Sequence, residues 1–209
     1  MNKTKYFVLF LILSSGIFSC GKITDTEASL GKEAGLKEED LLFIKDVTKS
    51  EIDKISTPGD TIKGIKVSVP YDKTGNARKE LRAVFKPKGY QVFIAGFFND
   101  PGRNNIIGII RSGDQFDIVR VQKTKPSRKK YSTEDIVNRL IDWNKDFKFE
   151  ITRAGEFWID ANFITKPADM NKFARELTKF CPEILNDGTG KIEDVINGMI
   201  SSNSFSMIF

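Results

Sequence analysis

The chain has 209 residues, a formal net charge of +5, two cysteines and no histidine. Without histidine, His-ligated zinc hydrolases, Ser-His-Asp triads and Cys-His nucleophiles are excluded, which leaves chemistry to Asp, Glu, Lys, Tyr or Ser. Lys3 and Lys5 are the only charged residues in the first 19, so the rest carries +3, too mild a surplus to imply a nucleic-acid partner.

Lys3 and Lys5 form a short positive start, Tyr6 to Leu13 an uninterrupted apolar and aromatic run, and Ser14, Ser15 and Gly16 a small-residue exit. This is the pattern of a secretory signal. The uncharged stretch from Tyr6 to Phe18 is thirteen residues long, short of the roughly 20 that a membrane-crossing helix needs. Ile17-Phe18-Ser19-Cys20 then resembles the lipobox of bacterial lipoproteins, in which an aliphatic and a small residue precede a cysteine that receives diacylglycerol. Phe18 departs from the pattern, and the plainer alternative is an ordinary signal peptide or a buried N-terminal helix in which Cys20 is incidental. The expected organisation is a signal peptide over 1–19, a lipidated flexible tether over 20–36 and a single globular domain over 37–209. That domain is long enough to bury a core of its own. With Cys20 lipidated, Cys181 has no intramolecular partner and no disulfide framework exists.

Leu36 to Ile55 is charged, with spaced apolar residues, and predicts one or two helical segments ended by Thr57-Pro58-Gly59. Ile62, Ile65, Val67 and Val69 predict a strand stopped at Pro70, and Asn76 to Lys86 a short helix with Ala77, Leu81, Val84 and Phe85 on one stripe. Three strands follow, at Tyr90 to Phe98, Asn104 to Arg111 and Phe116 to Lys123. Their short turns, Asn99-Asp100-Pro101-Gly102 and Ser112-Gly113-Asp114, imply an antiparallel meander.

A basic irregular stretch containing Lys123, Lys125, Arg128, Lys129 and Lys130 leads to a helix capped by Ser132 or Thr133, with Glu134 and Asp135 in its first turn. Phe149 and Ile151 alternate against Phe157, Ile159, Ala161 and Phe163 around Ala154-Gly155, the clearest hairpin in the chain. Pro167 opens a helix whose apolar residues Met170, Phe173, Leu177 and Phe180 keep three-and-four spacing to Cys181. A helix over Lys191 to Ile200 and a last strand over Ser204 to Phe209 complete the chain. The fold class is α+β, a mainly antiparallel sheet with helices packed largely on one face.

Gly113 to Arg120, Tyr131 to Ile136 with Leu140 and Trp143, Gly155 with Trp158, Phe180-Cys181-Pro182-Glu183 and Gly188-Thr189-Gly190 together resemble a bacterial family known as domain of unknown function 4253. The resemblance covers about residues 90 to 203. It implies a fold-level grouping and supplies no catalytic residues. The family often ends in a tryptophan-rich strand closed by aspartate, whereas this chain ends Phe205-Ser206-Met207-Ile208-Phe209.

Four residues stand out as a candidate ligand or partner surface: Trp158, Asp160, Asp114 and Asp117. Trp158 and Asp160 share the strand face opposite Phe157, Ile159, Ala161 and Phe163, where they are either solvent-facing or covered by another element. Asp114 and Asp117 flank Phe116, but three positions apart on a strand they point to opposite faces unless a bend or bulge joins them. A turn aspartate beside an exposed strand aspartate is the plainer account. Glu134 and Asp135 are already explained as capping residues. The basic stretch could touch anionic lipid, at about 1 kcal/mol per cation, and Gly188-Thr189-Gly190 could hold an anion before a helix; a solvated loop and an ordinary turn explain both as well. The expectation is a lipid-anchored binding or interaction module of the cell envelope, in the outer membrane if the host has one, with the membrane and a possible protein as partners. No cofactor, metal or nucleic acid is expected. The alternatives are a carboxylate-dependent glycan hydrolase, with Asp114, Asp117, Glu156 and Asp160 as its acids, and an immunity or inhibitor protein.

Overall fold

Among the described residues, seven α-helices and seven strands follow one another as α1 (Asp25–Ala34), α2 (Glu38–Thr48), β1 (Ile52–Lys54), β2 (Gly64–Pro70), α3 (Thr74–Phe85), β3 (Tyr90–Gly96), β4 (Asn104–Arg111), α4 (Asp117–Gln122), α5 (Thr133–Asp146), β5 (Phe149–Ala154), β6 (Trp158–Phe163), α6 (Met170–Phe180), α7 (Ile192–Ser202) and β7 (Ser204–Ile208). This computed structural model describes residues 22–55, 61–96, 102–126, 131–187 and 190–209. The signal segment, Cys20, Thr57-Pro58-Gly59, Asn99-Asp100-Pro101, Arg128 to Lys130, Gly188 and Thr189 lie outside them.

The strands form one seven-stranded sheet in the order β1-β2-β4-β3-β5-β6-β7, antiparallel except where β3 meets β5. The fold is therefore α+β. Alternation along β3 divides the core in two: Tyr90 and Val92 join Ile65, Val67, Ile107 and Ile109 under α1 to α3, while Phe93 joins Ile110, Phe149 and Ile151 against α4 to α7. Helices on one face thus hold for each half separately, and the covered face switches at β3. In the second half Phe147, Phe149, Phe163, Phe173 and Phe205 meet edge to face or tilted at 4.7 to 6.5 Å. Such pairs each add about 0.5–1.5 kcal/mol beyond their area.

The flexible tether expected over 20–36 is corrected by α1, which is docked on the domain. Thr24 and Glu27 form a capping box, and Gly35 closes the helix in the left-handed region at φ 74°. Glu27 is buried and accepts from Lys45 Nζ at 2.8 Å and from the Ile52 amide at 3.2 Å, tying α1 to α2 and β1. The polar composition that suggests a tether is that of a helix burying only Glu27, Gly31 and Ala34.

The third strand of the expected meander is also corrected. Phe116 to Gln122 turns into the short helix α4, because Asp114 accepts from the Phe116 amide at 3.0 Å and starts a turn that Ile118 and Val119 continue with bonds to Gln115 and Phe116. Ile118, Val119 and Val121 are all buried, so the apolar run fits a core-facing turn as well as a strand. Two smaller differences follow from local caps. Lys49, at φ 53°, ends α2 and lets β1 begin, and Asp169 rather than Pro167 caps α6.

Candidate functional site

The β5–β6 hairpin positions the residues of interest through a bulge. Ile151 faces Ala161 and Arg153 faces Asp160, so Thr152 is an extra residue in β5. Glu150 and Arg153 consequently share the face of Asp160, and Ile151 and Ala154 share the core face. Arg153 Nε lies 2.8 Å from Asp160 Oδ2, and Ser206 of β7 donates to Asp160 Oδ1 at 2.5 Å from directly across the β6–β7 pair.

Trp158, half-buried, opens β6 opposite Ile208. Its indole folds back over Gly155, whose amide donates to the Trp158 carbonyl at 2.9 Å. Together with Arg153, Asp160 and Ser206 it lines an open cleft of about 660 Å³. The opposite wall comes from the 3-10 turn Pro182–Asp187 and from α7, through Leu185, Lys191 and Asp194. The cleft thus combines an aromatic edge, hydroxyls and charges of both signs, the mixture that orients a polar ligand on an apolar platform.

Two of the four sequence-selected residues, Trp158 and Asp160, therefore meet in one cleft, while Asp114 and Asp117 serve a different structure. Arg120 Nη1 lies 2.8 Å from Asp117 and 3.2 Å from Asp114, and its Nε 2.9 Å from Glu134. The Glu134 hydrogen bond, followed by those of Asp117 and Asp114, raises the Arg120 pKa further above its ordinary value. Ser112 also donates to Asp117 at 2.6 Å. These carboxylates hold α4 to α5 and are not placed as an acid and base pair. Gln115, which sequence reasoning missed, donates to the Phe149 carbonyl at 3.0 Å and accepts from the Ile151 amide at 2.9 Å. Its amide satisfies the β5 backbone where β3 diverges from it.

The remaining residues of the resemblance are also structural. Ser132 and Asp135 form a capping box, and Tyr131 stacks on Phe180 at 4.7 Å. Trp143 is buried, donates to Glu176 at 3.2 Å and packs edge to face on Phe173. Cys181, fully buried, accepts from the Ile208 amide at 3.1 Å and so closes the outer edge of β7. Glu156 sits exposed at the hairpin turn. The acids left to a hydrolase in the cleft are Asp160 and Asp194, and Asp160 is already engaged by Arg153 and Ser206. Among the described residues no group of three or more acidic or cysteine side chains is arranged to hold a metal ion.

Sequence reasoning also missed Arg153 and Ser206. A strict alternation from Phe149 puts Arg153 on the core face, and only the bulge at Thr152 reverses it. Ser206 is far from β6 along the chain, and only the β6–β7 pairing brings it beside Asp160.

Comparison with curated proteins and with solved structures finds no match. Residues 106–208, from β4 through β7 and so including every sheet residue of the cleft, match the family described as Domain of unknown function (DUF4253).

Proposed function

We propose that this chain is a lipid-anchored binding module of the cell envelope and that it takes its ligand or partner in the cleft beside Trp158. The observation that carries the reading is the placement of a half-exposed indole over Gly155 at the mouth of the cleft, beside the Arg153–Asp160 pair. Aromatic and arginine side chains in such settings supply much of the free energy of recognition. Asp114 and Asp117 are occupied in holding α4 and α5, which favours binding over acid–base chemistry.

The anchor rests on the charged start, the apolar run and Cys20. With α1 docked, the link from Cys20 to Asp25 spans at most roughly 17 Å when fully extended. The domain is then held close to the bilayer rather than at the end of a long leash. Two or more acyl chains make such an attachment durable. The outer membrane is its place in a host that has one.

Two experiments test the reading. Labelled fatty acid is expected to enter the wild type and not Cys20→Ser, and equal labelling removes the anchor. Partner capture from native envelopes is expected to fall at least tenfold for Trp158→Ala under conditions where the variant stays folded. Unchanged capture removes the cleft as the binding surface.

A further inference from the structure

Arg78 and Arg82 of α3 and Lys86 just past its end follow one another at one-turn spacing beside the buried Ala77, Leu81 and Phe85 stripe, a row of cations whose Arg82 and Lys86 reach β5. A single carboxylate answers it. Glu150 accepts from Arg82 Nη2 at 2.5 Å, from Arg82 Nε at 3.2 Å and from Lys86 Nζ at 2.6 Å. Burial works against ionisation of Glu150, and those bonds outweigh it, holding its pKa below the usual carboxylate range. Arg78 is left over: its Nε is buried without a hydrogen-bond partner among the described residues.

The neighbours of Arg78 sharpen the imbalance. Burial first, then the charges of Arg82 and Arg153, push its pKa down, and only Glu150 acts in the other direction. Arg153 is the same side chain that lines the cleft with Asp160, a consequence of the bulge that turns it to this face. Four cations, Arg78, Arg82, Lys86 and Arg153, thus act around two carboxylates, Glu150 and Asp160. Like charges one turn apart on a helix repel, and a buried guanidinium donor without an acceptor destabilises the empty protein. Both costs are relieved if an anion arrives.

We infer that Arg78, supported by Arg82 and Arg153, forms an oxyanion site at the junction of α3 and β5 that takes a carboxylate or phosphate group of the cleft's ligand. The inference deepens the proposed binding role and rests on the cleft being the place of binding. A guanidinium fork suits either group because it offers two parallel N–H donors to two oxygens. Glu150 keeps Arg82 and Lys86 in place, so the ligand meets an already ordered set of donors.

The test is thermal unfolding of the purified full chain in inorganic phosphate, in acetate and in chloride at matched ionic strength, with Trp158 emission and envelope capture measured on the same samples. Phosphate or acetate is expected to raise the wild-type midpoint saturably by several degrees beyond chloride, and the two arms tell phosphate from carboxylate. Arg78→Met is expected to unfold at or above the wild-type temperature without anion and to lose at least tenfold in apparent affinity. The exposed neighbour variant Lys79→Gln keeps the wild-type response. Vesicles of phosphatidylglycerol, compared with phosphatidylcholine, bind through Arg78 if the anion is a lipid headgroup and ignore Arg78→Met if it is soluble. No wild-type response beyond chloride overturns the site, as does an Arg78→Met response equal to that of the wild type. Should Arg78→Met fail to fold, Arg78→Lys decides, since it keeps the charge without the fork and unchanged affinity overturns the site. An Arg78-dependent response with Trp158-independent capture counts against the cleft and not the anion site. Trp158-dependent capture without an anion response does the reverse.

Discussion

The indole of Trp158 lies so close over Gly155 that a Cβ at that position would stand 2.6 Å from the indole Cε2. Gly155 is therefore needed for the room it leaves and not for an unusual backbone angle. Gly155→Ala is expected to lift the indole away from the hairpin and to destabilise by about 1–3 kcal/mol, the range for overpacking. Since the displaced ring is half-exposed, the lower part of that range applies. Tryptophan emission and denaturant unfolding check it together: a shifted emission with weakened envelope capture is expected, and an unshifted emission contradicts the packing.

A second prediction concerns acid stability at the N-terminal helix. Burial opposes ionisation of Glu27, but the hydrogen bonds from Lys45, the Thr24 and Ile52 amides and the Thr24 hydroxyl prevail, taking its pKa from 4.5 to about 2. Because the folded value lies below the unfolded one, ionised Glu27 stabilises fully above about pH 4.5, and this contribution is lost as the pH falls towards 2. A difference of that size corresponds to about 3 kcal/mol, and the side chain is only 5% exposed, so solvent screens it little. Glu27→Gln is expected to lower stability at pH 7 and to flatten the loss between pH 4.5 and 2. Parallel stability profiles for the two proteins across that window contradict the ion-pair account.

How far this could be read beforehand differs between elements for physical reasons. The hairpin and the last strand were legible because period-two alternation survives in Ile159, Ala161 and Phe163 and in Phe205 and Met207, all buried. Helix α5 announced itself by its capping residues and α6 by three-and-four spacing. The short run Phe116 to Gln122 was not decidable, since its apolar residues suit a strand or a buried turn of helix and the decision came from Asp114 and its contacts. Helix α1 was hidden by polarity: what docks it is a buried ion pair beside a narrow apolar contact made by Leu30 and Ala34. Within the cleft, Trp158 and Asp160 were visible as the alternate face of β6, whereas Arg153 was masked by the bulge and Ser206 by its distance along the chain.

Cys181 provides a third prediction. It is fully buried, and its sulfur accepts from the Ile208 amide, so it acts as a small packed side chain that seals an edge strand. A thiol reagent is expected to modify the folded chain slowly and the denatured chain at once. Cys181→Ala is expected to cost about 1–3 kcal/mol, because it leaves the Ile208 amide without its acceptor. Rapid modification of the native chain contradicts the burial.

The two tryptophans supply the last prediction, since they separate folding from recognition within one protein. Trp143 is 3% exposed, packs against Phe173, Phe180 and Phe205, and donates to Glu176. Trp158 borders the open cleft and packs one side on the hairpin turn. Truncating a buried tryptophan leaves a cavity that the neighbouring rings cannot close, so Trp143→Ala is expected to lose about 3–5 kcal/mol. Trp158→Ala removes contacts on one side only and is expected to lose about 1–2 kcal/mol, near the centre of the distribution for single substitutions. Envelope capture reverses the order: Trp158→Ala weakens it at least tenfold, and Trp143→Ala, compared under conditions where it stays folded, captures as the wild type does. Asp160→Asn refines the result, because it keeps the shape of the pair with Arg153 and removes the charge. Capture lost in Trp158→Ala but kept in Asp160→Asn marks the indole as the anchor and Asp160 as the residue that holds Arg153 in place. A larger stability loss for Trp158→Ala than for Trp143→Ala contradicts the division between core and cleft.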